Sequence, residues 1–527
     1  MPRNERAPLW DAGPGPLPLG DLWRAAAVTG PAAIPPLASA VQTGLAITFE
    51  GLDATRITAV AQDHRAVRPG ALFVARRGAK FDAHSLLPEA ARAGAAALVG
   101  ELGAHELAHA PTVPYLRVPD TRAALPHLAA AFERHPSSRM RVLGVTGTDG
   151  KTTTSYLLHW LLLEGREAAL LSTAGIRLGH VELEPLSGHF TTPEATEVQA
   201  LLGRFLRGGA SHVVLESSSH GFSLHRLDAV EYAVGVFTNL TPEHLDHHGT
   251  LSDYRDAKAT LVRRAATAAV NLDDEHSPYF LAAARAAGRR TVTFGSAAGA
   301  DVRIGHLSSS PGRLEFELEV FGERATARLP MVGAFNAWNA AGAVAAAVVE
   351  GVAPEAAVAR LATFPGVPGR MQVVQAEPAT VIVDFAHTAP ALAKALAAVR
   401  REGHRLIVVV GAAGERDPGK RAPIGREARL GADVAVFTEE DSRSESTAAI
   451  LAEIGAGAAA AGGREGVDYV LEPDRRAAIR RGVELARPGD VVLLAGKGHE
   501  RTLERSGETL AWDEASEARA ALAGAGA

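Results

Sequence analysis

Short apolar runs recur along the chain, most of them closed by glycine, proline or polar residues and separated by Ala-rich stretches with helical spacing. Bounded runs of this kind read as buried strands and the stretches between them as helices. Early in the chain Ala71–Ala75 and Ala95–Val99 read as strands, Leu86–Ala93 as a helix and Arg68-Pro-Gly70 as a turn. A helix over Arg122–Phe132 leads into the polar linker His135–Arg139. Strands follow at Val142–Val145, Ala168–Ser172, His212–Glu216, Ala233–Thr238 and Ala268–Asn271, with a helix over Tyr156–Leu163. Alternation between Arg313 and Leu329 predicts an antiparallel hairpin, and Asn336–Val349 an Ala-rich helix. Beyond the hinge-like Phe364-Pro-Gly-Val-Pro-Gly369, strands at Val381–Asp384, Leu406–Val410, Val434–Thr438 and Val491–Ala495 again alternate with helices. Strand–helix alternation predicts mainly parallel sheets. The expected fold class is α/β in three domains: a small α/β module over 41–139, a central mainly parallel-sheet domain over 140–364 and a doubly wound, Rossmann-like domain over 365–527. Residues 1–40, with their charges, prolines and glycines, read as a flexible extension.

Composition narrows the classes. The 527 residues exceed what one hydrophobic core serves, and 47% hydrophobic with 22% charged residues is ordinary for a soluble globular protein. A net charge of −6 gives no footprint for nucleic acid. With no cysteine, disulfides, thiolate chemistry and Cys-ligated zinc are excluded. No apolar run has the roughly 18 residues of a membrane span, and the N-terminus lacks the apolar core of a secretory signal. A cytoplasmic monomer is expected.

Candidate chemistry centres on Val142-Leu-Gly-Val-Thr-Gly-Thr-Asp-Gly-Lys-Thr-Thr-Thr154. Gly147 and Gly150 let backbone N–H groups close around phosphate oxygens, and the helix that follows adds a partial positive charge. Lys151 can reach the β/γ-phosphates, and Thr152 or Thr153 can offer a hydroxyl to Mg²⁺. The strict G-x-x-x-x-G-K-[ST] pattern is narrowly missed, since Val145 stands where its first glycine would fall. The reading is an ATP site in the central domain. Glu216, at the carboxyl end of a predicted strand, suits Mg²⁺; so does the loop Thr238-Asn-Leu-Thr-Pro-Glu-His-Leu-Asp-His-His248, dense in His and acids. On spacing alone Lys258 reads as a surface lysine of an amphipathic helix.

Taken together, Thr146-Gly-Thr-Asp-Gly-Lys-Thr-Thr-Thr154, Glu216-Ser-Ser-Ser-His220, Thr238–Asp246 and Tyr254-Arg-Asp-Ala-Lys258 resemble the Mur ligase family. So do Gly333-Ala-Phe-Asn-Ala-Trp-Asn339, Val383-Asp-Phe-Ala-His-Thr388, Gly414-Glu-Arg-Asp-Pro-Gly-Lys-Arg421 and Ala495-Gly-Lys-Gly-His-Glu500, the last two being most similar to its muramyl-tripeptide synthetase (MurE) branch. The resemblance implies an ATP-dependent acid–amino-acid ligase of cytoplasmic peptidoglycan precursor synthesis, adding a diamino acid to UDP-MurNAc-L-Ala-D-Glu through an acyl phosphate. By this resemblance Lys151, Glu216, His244 and Lys258 are catalytic. ATP would lie against Gly147, Thr148, Gly150, Lys151, Thr152, Thr153, Asn336, Arg370 and Asp384. Mg²⁺ would be held by Thr152, Glu216, His244 and by Lys258 once carbamylated with CO₂. Arg65, Thr191, Thr192, Ser218 and Arg226 would hold the UDP substrate, and Arg416, Asp441, Arg443, Gly496 and Glu500 the incoming amino acid. The family's Asp-Ser-Arg near the uridine appears here as Asp63-His64-Arg65.

Members that add diaminopimelate carry Asp-Asn-Pro-Arg where this chain has Glu440-Asp-Ser-Arg443. Arg443 could pair with a carboxylate as a fork, whereas Asp441 adds negative charge that would favour the bare ammonium tail of L-lysine or L-ornithine. The bland alternative for Glu440-Asp441 is a solvated acidic loop. The same ligase using meso-2,6-diaminopimelate is the alternative reading. A nucleotide-switched regulatory protein is the rival of another class, disfavoured because a switch needs no second metal cluster.

Overall fold

The computed structural model describes residues 13–29, 49–78, 81–107, 111–184 and 191–525, so most of the extension expected over 1–40 lies outside the described residues. Internal contacts divide the chain into two compact units, Met1–Lys151 with Leu162–Thr293 and Thr152–Leu161 with Phe294–Ala527. The architecture is α/β with predominantly parallel sheets.

In the first unit a four-stranded parallel sheet runs Ala59–Ala61, Ala71–Val74, Ala97–Gly100, Tyr115–Arg117. One face is covered by the helices Leu19–Thr29 and Thr121–Phe132, whose apolar residues share a core with Leu72, Val74, Val99 and Leu116. The expectation of a flexible extension therefore fails over these residues: Leu19, Leu22, Trp23 and Ala26 are fully buried, the apolar stripe of one helical face. A second sheet places Arg141–Thr146 between His212–Glu216 and Val234–Phe237, with Ala168–Ser172 and Thr267–Asn271 outside them, all parallel. These are the five strands expected from the apolar runs. The chain continues from Arg141–Thr146 to strands on one side of it and then crosses to the other, and open α/β sheets bind ligands beyond the carboxyl ends of strands at such a switch point. Close packing there requires Gly144, since a Cβ would lie 2.6 Å from Leu261 Cδ1 and 2.7 Å from Tyr232 Cε1.

In the second unit the antiparallel strands Arg313–Val320 and Glu323–Leu329 form the expected hairpin, extended by Val302–Ser310, which the pattern did not reveal. Helix Asn336–Val349 follows with the bounds expected. The six-stranded sheet runs Gln372–Gln375, Thr380–Asp384, Val491–Ala495, Leu406–Val410, Val434–Phe437, Tyr469–Leu471. Only the first of these is antiparallel to its neighbour. The central strands are buried along their whole length between two apolar clusters, which explains their unbroken Val/Ile/Leu runs.

Candidate active site

The glycine-rich loop leaves the strand Arg141–Thr146 and is pinned to the end of the neighbouring strand. Asn239 accepts the amides of Thr148 (through its carbonyl, 2.8 Å) and Asp149 (through Oδ1, 2.8 Å). The Asp149 carbonyl accepts from Thr238 Oγ1 at 2.7 Å and Asn239 Nδ2 at 3.0 Å. Gly147 has φ 150°, and a Cβ there would meet Thr238 Oγ1 at 1.9 Å, so no other residue fits. Thr148 Oγ1 bonds Thr241 O at 3.1 Å, the Thr241 amide at 2.9 Å and the hydroxyl of buried Tyr254 at 3.1 Å. Gly150 follows, and Lys151 opens the helix Lys151–Leu162 with Nζ folded back on the carbonyls of Gly147 (3.1 Å) and Thr148 (2.7 Å). In the other unit, Thr152 and Thr153 are both buried.

Lys258 departs from the reading that spacing alone gave it. It is 1% exposed, not a surface lysine; Nζ donates to Gly147 O at 2.5 Å and lies 4.4 Å from the Tyr254 ring centre. Its helix turns it inward beneath the loop. Burial, with Lys151 nearby, holds its amine well below the usual lysine range. Glu216 is also buried, at the carboxyl end of its strand, with Oε2 accepting from Ser172 Oγ (2.5 Å) and the Thr173 amide (3.0 Å). His244 sits half-exposed in the left-handed region at φ 55°, its imidazole pushed down chiefly by burial. Around it the structure shows a cluster that spacing did not: His220 stands 4.7, 4.2 and 5.4 Å from the rings of His244, His247 and His248. Burial, then the neighbouring imidazoles, push His220 down to about 4. Among the described residues no three His, Asp or Glu side chains converge as a metal-binding group.

Three of the residues expected to hold the UDP substrate come together. Thr192 Oγ1 lies 2.9 Å from Ser218 Oγ and accepts the Ser218 amide, and Arg226 Nη1 donates to Thr192 O at 2.9 Å. Thr191 precedes them in the chain, half-buried. Arg65 is highly exposed and paired with Asp63. Beside Arg226 opens a cavity of about 380 Å³ lined by Arg76, Arg77, Arg122 and Glu194, none of which the sequence reading found. These residues come from separated segments and carry no local motif.

The remaining candidates lie in the second unit. Asn336 is fully buried, its amide donating to Val332 O (2.7 Å) and its Oδ1 accepting from Asn339 (2.8 Å). Asp384 accepts the amides of Met371 (2.8 Å) and Ala386 (2.9 Å), burial raising its carboxyl, while Arg370 stacks on Phe385. Asp441 is not part of a solvated loop: it is buried and accepts from Lys497 Nζ at 2.8 Å and the Glu504 amide at 2.9 Å. Lys497 also pairs with Glu500 at 2.6 Å. The negative charge expected of Asp441 is thus neutralised internally. Arg443 donates to Glu504 Oε2 (2.9 Å) and Gly414 O (2.7 Å). Glu440 is buried beside Gly496, where a Cβ would lie 2.6 Å from Glu440 Oε2, and burial pushes its carboxyl up to about 7. Arg416 stays on an exposed loop.

Three family models match the chain: "Mur ligase family, catalytic domain" over residues 56–133, "Mur ligase middle domain" over 145–347 and "Mur ligase, glutamate ligase domain" over 369–498. A UDP-N-acetylmuramyl-tripeptide synthetase of Deinococcus radiodurans is 46% identical over 492 residues, 92% of this chain and 99% of that one. A UDP-N-acetylmuramoyl-L-alanyl-D-glutamate–2,6-diaminopimelate ligase of Streptomyces coelicolor is 39% identical over 475 residues, covering 88% and 92%. A solved structure of a ligase with that same activity in its name matches with TM-score 0.67 at 29% identity, covering 92% of this chain and 97% of its own. Among the described residues no helix is long and apolar enough to cross a membrane.

Proposed function

Because the chain belongs to the Mur ligase family and is an ATP-dependent ligase of its tripeptide-synthetase type, we propose that it joins L-lysine or L-ornithine to UDP-MurNAc-L-Ala-D-Glu in the cytoplasm. The observation that carries the site assignment is Lys258, a buried amine seated on the carbonyl of Gly147 in the phosphate loop. In the reaction the terminal carboxylate of the UDP substrate attacks the γ-phosphorus of ATP, giving an acyl phosphate and ADP. The amine of the diamino acid then attacks the acyl carbon, the C–O bond to phosphate breaks, and the ammonium proton is lost to water. With the amides of Thr148 and Asp149 engaged by Asn239, the phosphates would be received from Gly150 onward by helix N-terminal N–H groups and Lys151.

Glu216, His244 and a carbamylated Lys258 are the residues that would hold Mg²⁺; since no three His, Asp or Glu side chains converge among the described residues, phosphate oxygens and water would complete its shell. Bound there, it would neutralise charge on the transferred phosphoryl group.

Asp441 does not support the choice of amino acid, being held by Lys497. Support comes from Arg443, the fork that would take a second carboxylate, which is already engaged by Glu504 and Gly414. A second reading, meso-2,6-diaminopimelate, is favoured by the Streptomyces relative. Phosphate release with ATP, Mg²⁺ and UDP-MurNAc-L-Ala-D-Glu is expected with lysine or ornithine. Release with diaminopimelate alone would establish the second reading. Phosphate release independent of any amino acid would instead support a nucleotide-switched regulator.

A further inference from the structure

Glu194 departs from the role its place in the fold would give it. It directly precedes the helix Ala195–Arg207, a position that favours the short cap residues Ser, Thr, Asp and Asn, and its side chain bonds no amide of the first turn. Its oxygens go instead to two arginines: Oε2 accepts from Arg76 Nη1 at 2.8 Å and Oε1 from Arg226 Nη2 at 2.6 Å. Arg76 lies just past the strand Ala71–Val74 of the four-stranded sheet; Arg226 is tied to Thr192, whose hydroxyl bonds Glu216 O at the carboxyl end of a central-sheet strand. All three line the 380 Å³ cavity, together with Arg77 and Arg122.

We propose that Glu194 is a positioning residue, holding Arg76 and Arg226 in the geometry that receives the anionic UDP-linked peptide; the inference rests on the substrate assigned above. Two guanidiniums facing one cavity repel each other and swing towards water. A carboxylate accepting from both offsets one of their charges and fixes both planar forks, so that less conformational freedom is lost when an anion arrives. Charge and aim therefore oppose each other. Removing the carboxylate makes the cavity more positive, which attracts an anion, but frees the arginines, which weakens directed hydrogen bonding. The sign of the effect tells the two apart.

The test is calorimetric binding of UDP-MurNAc-L-Ala-D-Glu to the full-length protein, its Glu194→Gln and Arg76→Met variants and the double variant, alongside kcat, the KM for ATP and the unfolding midpoint. Glu194→Gln is expected to weaken UDP-substrate binding about tenfold. The KM for ATP and kcat at saturating substrate should stay within about twofold, and the double variant should be weakened by less than the product of the single effects. Unchanged or tighter binding by Glu194→Gln would overturn the proposal, as would multiplicative effects or a fall in kcat at saturation. Should Glu194→Gln fail to fold, Arg76→Met carries the test, with about tenfold weaker binding expected and wild-type affinity overturning it. If the wild type itself does not bind this substrate, the substrate assignment falls; if it binds and the variants match it, the positioning role alone falls.

Discussion

A lysine amine excluded from water carries a desolvation penalty whenever it is charged. Lys258 is in that position beneath the phosphate loop, and repulsion from Lys151 adds to the burial, so its amine gives up its proton more readily than that of an exposed lysine. An uncharged amine is the form that attacks CO₂: its lone pair forms the N–C bond, one proton is released, and an anionic carbamate replaces the neutral amine. Lys258→Met, similar in shape but without the amine, is expected to lower ligation by roughly 10²–10³-fold, the scale of losing one electrostatic group at a reacting centre. The residual rate should no longer respond to bicarbonate, whereas the wild type should slow when CO₂ is stripped at constant pH. Phosphate-release assays with and without bicarbonate check both points, and normal turnover in the variant would remove the carbamate assignment.

Among the elements, the helix Leu19–Thr29 behaves as part of the first unit's core rather than as a tail. Trp23 is fully buried with Leu19, Leu22 and Leu72. Trp23→Ala should cost about 3–5 kcal/mol in denaturant unfolding, the range for emptying an aromatic core site. A loss under about 1 kcal/mol would mean that the helix is not held by its apolar face. This helix was illegible in the sequence because prolines and glycines on either side of it match the signature of a loose segment. The parallel strands were legible for the opposite reason, each being a run buried on both faces and cut off by turn residues. Val302–Ser310 escaped notice because its second half is exposed and serine-rich, leaving no alternation to read. At the site, the glycine-rich loop between strand and helix could be read because its signals are local in sequence. The burial of Lys258 and the pairing of Asp441 with Lys497 could not, since both depend on residues many positions away.

For the molecule as a whole, the division into two compact units predicts that thermal unfolding is not one cooperative event. Scanning calorimetry should show a measured enthalpy above the van't Hoff value. Saturating UDP substrate should raise only the transition of the first unit, by about 2.7 kcal/mol at a hundred times its Kd. Equality of the two enthalpies would show a single cooperative unit instead. The pinned phosphate loop has a consequence for how any nucleotide would engage it. Its fastenings to Thr238, Asn239, Thr241 and Tyr254 are neutral hydrogen bonds formed when the chain folds. Fixing one residue's backbone costs about 1–2 kcal/mol of entropy. For Gly147, Thr148 and Asp149 that cost is met during folding, so a triphosphate meets a rigid receptor, and salt that screens its attraction to Lys151 leaves the shape of the receptor unchanged.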